Sequence, residues 1–279
     1  MDLQRRPLSL TPLVLACMLA TTAAQAPLAP APVTLTPAQM EVFLLEAKVV
    51  ARKVTTKGVT KPIQATLSDG AFTHDAQIQT VDESRTIFNA GKASEVGFRD
   101  TYKFNIAGSR LARVLGLQNV PMSVERRIDG KTAAMTWWID DVRMDEADRV
   151  KRRPEGWTSE RISKQMHVMR IWDELIQNRD RNQGNMLWTS DWTLWMIDHT
   201  RAFRIGDALL KPDQLTRSDR GLLERLRQLS ASDMEQVARG GMLTRAEAEA
   251  VLKRRDRLVK RFDDLIAKRG ETSVLFTIE

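Results

Sequence analysis

The chain has one cysteine, Cys17, in 279 residues. It lies in the N-terminal segment read below as an export signal. The remainder therefore offers no internal disulfide, no thiolate nucleophile and no cysteine-ligated zinc. Histidine is nearly as scarce: His74, His167 and His199 are scattered without metal-ligand spacing, which argues against hydrolytic zinc chemistry. Long hydrophobic runs are also missing. The apolar run from Leu8 to Ala20 falls short of the roughly 20 residues that a membrane-spanning helix needs, and no later stretch qualifies. Ordinary composition fills the rest: 42% hydrophobic and 28% charged residues suit one large core or two small lobes and exclude global disorder.

The first residues read as an address. Arg5 and Arg6 precede the apolar run, and Ala24-Gln25-Ala26 closes it with small residues. This predicts a signal peptide over residues 1–26, cut after Ala24 or Ala26, and hence an exported protein, periplasmic or secreted. An uncleaved anchor, or a lipoprotein built on Cys17, is the alternative. Residues 27–37, rich in proline and alanine, read as a flexible tether. The net charge is +7, from 43 Lys and Arg against 36 Asp and Glu, which suits anionic partners and serves solubility equally well. Because the basic residues are spread along the chain rather than grouped with stacking aromatics, nucleic acid is disfavoured.

Thr36 followed by Gln39 is a capping-box signature, predicting a helix to about Lys53 with Val42, Leu45 and Val49 on its apolar face. Asp69-Gly70, between Ile63–Leu67 and Ala71–Val81, predicts a hairpin. A helix is expected from Asp100 to Leu115, apolar along Ala107, Leu111, Val114 and Leu115 and stopped by Gly116. Strands Val120–Arg127 and Thr132–Ile139 meet at Asp129-Gly130. Residues 38–140 thus read as a small α+β lobe, and 141–157 as a connection containing Lys151-Arg152-Arg153-Pro154. Residues 158–279 read as a mainly helical lobe. Its helix Glu160–Gln177 turns Ile162, Met166, Met169 and Ile176 inward. A later helix, capped by Thr244 with Glu247, turns Val251, Leu258, Phe262 and Leu265 inward and its Lys and Arg outward.

Chemistry concentrates in residues 173–203. A helix ends at a polar loop, Asn178-Arg179-Asp180-Arg181-Asn182-Gln183-Gly184-Asn185. A strand Met186–Trp188 follows, Ser190-Asp191 reverses it, and Trp192–Ile197 returns to Asp198. Asp180 and Asn185 share one loop, and Asp198 comes alongside from the returning strand. Phosphoryl transfer needs such a set, with Asp180 as the base and Asn185 and Asp198 as oxygen ligands for Mg²⁺. Alternatively, Asp180 and Asn185 shape a turn and Asp198 caps the next segment.

The pattern Asp-Arg-x-x-x-Asn, followed by a hairpin and Ile197-Asp198-His199-Thr200-Arg201-Ala202-Phe203, resembles the catalytic and metal loops of atypical kinases. These are the phosphatidylinositol 3- and 4-kinases, the HipA type of toxin kinase and the secreted Golgi casein kinases. Upstream, Phe98-Arg99-Asp100-Thr101-Tyr102, Ile106-Ala107, Leu115-Gly116-Leu117 and Val120-Pro121 are similar to the small-lobe helix and strand of that group. Gly58-Val59-Thr60-Lys61-Pro62 resembles its phosphate-facing loop. The resemblance covers about residues 58–205. It implies an α+β, two-lobed protein-kinase-like fold with a small mixed β-sheet N-lobe and a mainly helical C-lobe. It also implies ATP with Mg²⁺ or Mn²⁺, and a protein, lipid or sugar acceptor. Asp180 is then catalytic and Asn185 and Asp198 bind metal. Gly58, Thr60 and Lys61 face the phosphates, and Trp138 and Ile139 lie near adenine.

One departure stands out. Where these kinases carry a strand Lys and a helix Glu, this chain has Gln79 and Asn105, a pair that can keep a hydrogen bond but lacks the cation. Lys61, Lys92 and Lys103 are candidate replacements for that charge. The same loss supports a second reading, a pseudokinase that binds or scaffolds without turnover. A third reading is peripheral contact with an anionic membrane through Arg149 to Arg153 and the C-terminal helix.

Overall fold

The capping box at Thr36 forms as its sequence demands, with the Thr36 and Gln39 side chains each accepting from the other's backbone, but the helix it starts is short: α1 spans Pro37–Glu46. The computed structural model describes residues 35–54, 63–90 and 93–278. The predicted signal peptide, most of the tether, and Gly58, Thr60, Lys61 and Lys92 lie outside the described residues. After Ala47 the chain becomes β1 (Lys48–Val54), correcting the helix expected to reach Lys53. Val49, Val50 and Val54 are β-branched and favour a strand once a partner is at hand. That partner is β2 (Ile63–Ser68), paired antiparallel with β1. The expected apolar face of α1 is also displaced: Phe43 and Leu44 are buried, whereas Val42 and Leu45 are exposed.

The Asp69-Gly70 hairpin is present. Gly70 adopts φ 94°, which favours glycine, and Asp69 accepts from the Ala71 and Phe72 amides across the turn to β3 (Thr73–Gln79). A second hairpin, β4 (Asp82–Ala90) and β5 (Ala93–Thr101), follows where no strands were expected. Because β5 takes up Asp100 and Thr101, α2 runs from Lys103 to Val114. β6 (Ser123–Ile128) and β7 (Lys131–Trp137) then complete a five-stranded sheet of order β1-β2-β3-β7-β6. Its pairing is antiparallel throughout rather than mixed.

The segment read as a connection contains regular structure, β8 (Val142–Asp145) and α3 (Glu146–Arg152). Arg149 is buried there, forked onto Glu146 at 2.6 and 2.7 Å, and Glu146 also accepts from the Trp188 indole at 2.8 Å. This removes Arg149 from the basic surface expected over residues 149–153. α4 (Glu160–Leu175) leads to β9 (Met186–Thr189) and β10 (Leu194–Met196), which pair with β8 in the order β10-β9-β8. The remainder comprises β11 (Ser218–Asp219), α5 (Arg220–Gln228), α6 (Ala231–Ala238), α7 (Arg245–Arg269), α8 (Glu271–Val274) and β12 (Leu275–Phe276).

The fold is α+β in two lobes with two apolar cores. Phe43, Leu44, Leu67, Ile78, Val124 and Met135 fill the space between α1 and the sheet. The larger core joins Ile106 and Leu111 of α2 to Trp172, Trp188, Phe203, Leu258 and Phe262, so α2 belongs by its packing to the helical part while also lying on β6 and β7.

The charged face expected of α7 is interrupted by two buried residues, Glu247 and Arg254. Arg254 is fully buried, its Nε donating to the Leu175 carbonyl at 2.7 Å and its Nη1 to the Arg204 carbonyl at 2.7 Å and to that of Gly206. Burial lowers its pKa to about 10. The guanidinium thus satisfies a carbonyl at the end of α4, which the helix itself cannot. Arg254→Leu leaves three buried carbonyls without a donor, and we expect it to lower the unfolding free energy by about 3 kcal/mol in urea titrations.

Candidate functional site

Three turns of backbone bring the predicted residues together. α4 ends at Leu175, and Gln177, at φ 48°, turns the chain out of it. Asn178 then accepts from the Asp180 amide at 3.0 Å, an Asx turn that presents the Asp180 side chain, 44% exposed. Asn182 caps a single 3₁₀ turn, Gln183–Asn185, by accepting from the Gly184 amide at 2.9 Å. The hairpin that follows is closed by Asp191, which accepts from the Thr193 amide and hydroxyl. Its register pairs Met186 with Met196, so the next residue out, Ile197, donates its amide to the Asn185 carbonyl at 3.1 Å. Asp198 is thereby delivered beside the loop that carries Asp180 and Asn185.

Arg181 ties these segments together. Its Nε and Nη2 grip the Asp173 carboxylate of α4 at 3.0 Å, while Nη1 donates to the carbonyls of Asn185 at 2.9 Å and Ile197 at 2.8 Å. Nη2 also reaches His199 Nε2 at 3.0 Å, and that nitrogen receives the Trp172 indole N–H at 3.1 Å. Arginine and indole can only donate, so His199 Nε2 accepts and the imidazole is neutral with its proton on Nδ1. Burial, and then the Arg181 charge, hold its pKa well below the usual histidine range.

The segment that follows Asp198 is fastened to the sheet by a chain of neutral groups. The His199 amide donates to Asn105 Oδ1 at 2.7 Å, and Asn105 Nδ2 donates to Gln79 Oε1. Gln79 and Asn105 are both buried. The hydrogen bond expected between this pair therefore exists, and Asn105 additionally holds the backbone next to Asp198, a role that sequence reasoning missed. Trp138 and Ile139 lie where the chain leaves β7, and the Trp138 amide donates to the Asp75 carbonyl at 3.1 Å. Neighbouring Trp137 stacks on His74 with centroids 3.8 Å apart and packs with Phe72 and Phe43, a structural role.

Asp198 sits in the left-handed region at φ 55°, with the Thr200 hydroxyl donating to it at 3.1 Å. Burial pushes its carboxyl pKa up; the Thr200 hydrogen bonds oppose that, and the like charges of Asp100 and Asp180 add to it. Asp100 has a buried Oδ1 with no hydrogen-bond partner. The site is thus a partly buried concentration of negative charge with a carboxylate and an amide oxygen as donors. Among the described residues no three His, Cys, Asp or Glu side chains form a metal-holding group. The donor set fits an ion that keeps several waters and is shared with phosphate oxygens, as Mg²⁺ is, better than one caged by protein alone.

The fold has known relatives in shape. No protein-family model matches the chain, and no curated protein is similar to it in sequence. Among solved structures, hydra Fam20 with sugar is 15% identical, with 86% of this chain and 92% of that one covered at a TM-score of 0.66. The Golgi casein kinase with Mn and ADP bound is also 15% identical, covering 86% of this chain and 78% of that one at 0.62. A further structure of the Golgi casein kinase matches over the same shares at 0.61. The chain therefore has an atypical kinase-like fold.

Two outcomes are expected. First, a carboxylate whose folded-state pKa is raised binds its proton more tightly folded than unfolded. Stability accordingly falls as pH rises from the ordinary aspartate range through the raised value and stays lower above it. Asp198→Asn should therefore melt at a higher temperature than wild type at neutral pH in metal-free buffer, with the gap closing on acidification. An equal or lower Tm at pH 7 would show that no such penalty exists. Second, Arg181→Met strands the buried Asp173 charge and should cost about 3–5 kcal/mol in equilibrium unfolding, part of it recovered when Asp173→Leu is added.

Proposed function

We propose that the protein is an exported, ATP-dependent phosphotransferase, with Asp180 as the general base and Asn185 and Asp198 holding Mg²⁺ or Mn²⁺. The observation that carries this reading is the hairpin register that sets Asp198 beside the loop of Asp180 and Asn185, with Asp198 partly buried among like charges. A nucleotide-bound cation relieves that repulsion, and it supplies charge neutralisation to the phosphates when bound. Asp180, exposed and on a turn, takes the proton of an acceptor hydroxyl. As that proton leaves, the acceptor oxygen forms a bond to the terminal phosphorus. The bond from phosphorus to the bridging oxygen breaks, and the departing diphosphate keeps the electron pair.

The sheet supports the orientation of the nucleotide. Gln79 pairs with Ala134 on β7, and Trp138 lies four residues further along that strand's path, about 13 Å at strand rise. Phosphates near Gln79 and adenine near Trp138 and Ile139 suit that separation. Gly58, Thr60 and Lys61 complete the proposal as the phosphate-facing loop. The solved neighbours include a casein kinase described with Mn and ADP and another protein with sugar, which supports a nucleotide, a divalent metal and a protein or sugar acceptor; a lipid acceptor rests on the sequence resemblance alone. No helix among the described residues is long and apolar enough to cross a membrane. The predicted signal peptide places the protein in the periplasm or outside the cell.

A second reading, the pseudokinase, draws on the buried Gln79–Asn105 pair, whose side chains are engaged with each other and with the metal loop. Thermal-shift titration with ATP and Mg²⁺ or Mn²⁺ separates the readings. Under the enzyme reading the shift is metal-dependent and lost in Asp198→Ala. Asp180→Ala then keeps the shift but loses roughly 10²–10⁴-fold in phosphate transfer to casein or water. A shift without transfer in wild type selects the pseudokinase, and no shift at millimolar nucleotide removes the nucleotide from both readings.

A further inference from the structure

We infer that Arg201 is a cation of this site: its guanidinium grips the terminal phosphoryl group of the nucleotide, a charge that the sheet, with Gln79 in place of lysine, does not supply. The inference rests on the phosphotransferase reading and deepens it. A phosphoryl group in transfer carries charge on its oxygens that neutral Gln79 cannot meet. Among the described residues, three other cations near the site are already engaged. Lys103, one of the candidate replacements, pairs with Asp82 at 3.2 Å. Arg99 pairs with buried Glu247, and Arg181 is locked onto Asp173.

Arg201 differs from these. Its Nη1 lies 3.5 Å from Asp180 Oδ2, an ion pair looser than a hydrogen bond, and its Nε is buried with no hydrogen-bond partner among the described residues. The guanidinium lies over the ring of buried Phe98, with Cζ 5.1 Å from the centroid, a contact that helps to hold it in place. The backbone beneath it is also fixed, because the Thr200 carbonyl accepts the Thr101 amide at 2.9 Å and the His199 carbonyl accepts the Ala202 amide at 3.0 Å.

The base must stand next to both the acceptor hydroxyl and the terminal phosphorus, so a cation within 3.5 Å of the base carboxylate lies within reach of the phosphoryl oxygens. A guanidinium has five donors in a planar fork and can hold phosphoryl oxygens while keeping its contact with Asp180. In the transfer step the acceptor proton passes to Asp180, the acceptor oxygen bonds to phosphorus, and the diphosphate leaves with the electron pair. Arg201 stays charged throughout and orients the group that moves.

The test compares ATP with ADP, which lacks the group in question. Thermal shifts are measured with each nucleotide and Mg²⁺ on wild type, Arg201→Ala, Arg201→Gln and Arg201→Lys, with ATP turnover on casein or water measured alongside. Wild type should bind ATP more tightly than ADP. Arg201→Ala and Arg201→Gln should keep ADP affinity within about twofold, lose the ATP preference, and fall about 100-fold or more in turnover, with Arg201→Lys between. Arg201→Gln keeps a planar group over Phe98, so it serves if the alanine variant folds poorly. Neutral variants that retain both the ATP preference and turnover would overturn the assignment and leave the nucleotide site standing. Wild type without a shift for either nucleotide would overturn the phosphotransferase reading and this assignment with it.

Discussion

The geometry of the site depends on one buried ion pair, Arg181 with Asp173. A helix end, an irregular loop and a returning strand have no hydrogen-bond ladder in common, and each leaves carbonyls that need donors. Arg181 supplies them from a single planar group: two nitrogens on the Asp173 carboxylate, one on the carbonyls of Asn185 and Ile197. Lysine could not do this, since a point charge on a flexible stem has no fixed fork to set three directions at once. The pair costs desolvation and is a weak source of stability, but it selects one arrangement of the loop among many. His199 extends the same logic. Kept neutral by burial and by the Arg181 charge, it takes donors from Trp172 and Arg181 and leaves its own amide to be held by Asn105.

Sequence reading succeeded where structure is written locally. The caps at Thr36 and Thr244, the Asp69-Gly70 turn, and the inward faces of α4 and α7 each depend on residues within one or two turns of each other. It failed where tertiary contact decides. Val42, Phe43, Leu44 and Leu45 are contiguous, so periodicity cannot say which two face the sheet; the sheet chose Phe43 and Leu44. β1 is largely exposed and interleaves Lys and Arg with valine, which hides its alternation, and β4 opens with the polar run Asp82-Glu83-Ser84-Arg85-Thr86. Arg149 and Arg254 sit on helices whose other Lys and Arg residues are not buried, and their burial comes from acceptors contributed by other elements or placed by the local fold.

The same division runs through the site. Asp180, Asn185 and Asp198 were legible because one loop and one hairpin join them, and hairpin register follows from turn length. Gln79 and Asn105 stood out only as departures in a resemblance, since 26 residues separate them; their hydrogen bond could be anticipated, but the further link to the His199 amide could not. Arg201 lies inside the very motif that carries the resemblance and still gave no signal. Its relation to Asp180 exists only after the hairpin has folded the Asp198 segment back beside the loop of Asp180 and Asn185.

The electrostatics of Asp198 bear on whether this site serves a ligand or only a shape. At φ 55° the backbone there favours asparagine at least as much as aspartate, and asparagine would still accept the Thr200 hydroxyl without burying a charge. Burial and the fields of Asp100 and Asp180 all act against the carboxylate, so on grounds of folding alone residue 198 is the wrong choice. The neutral pair Gln79 and Asn105 shows that this chain does use uncharged side chains where a hydrogen bond suffices. A carboxylate held against three opposing influences, beside a neutral pair that makes a structural link at less cost, sets position 198 apart from the other polar positions around it. Under the proposed phosphotransferase reading, the partner of that charge would be the metal that accompanies the nucleotide.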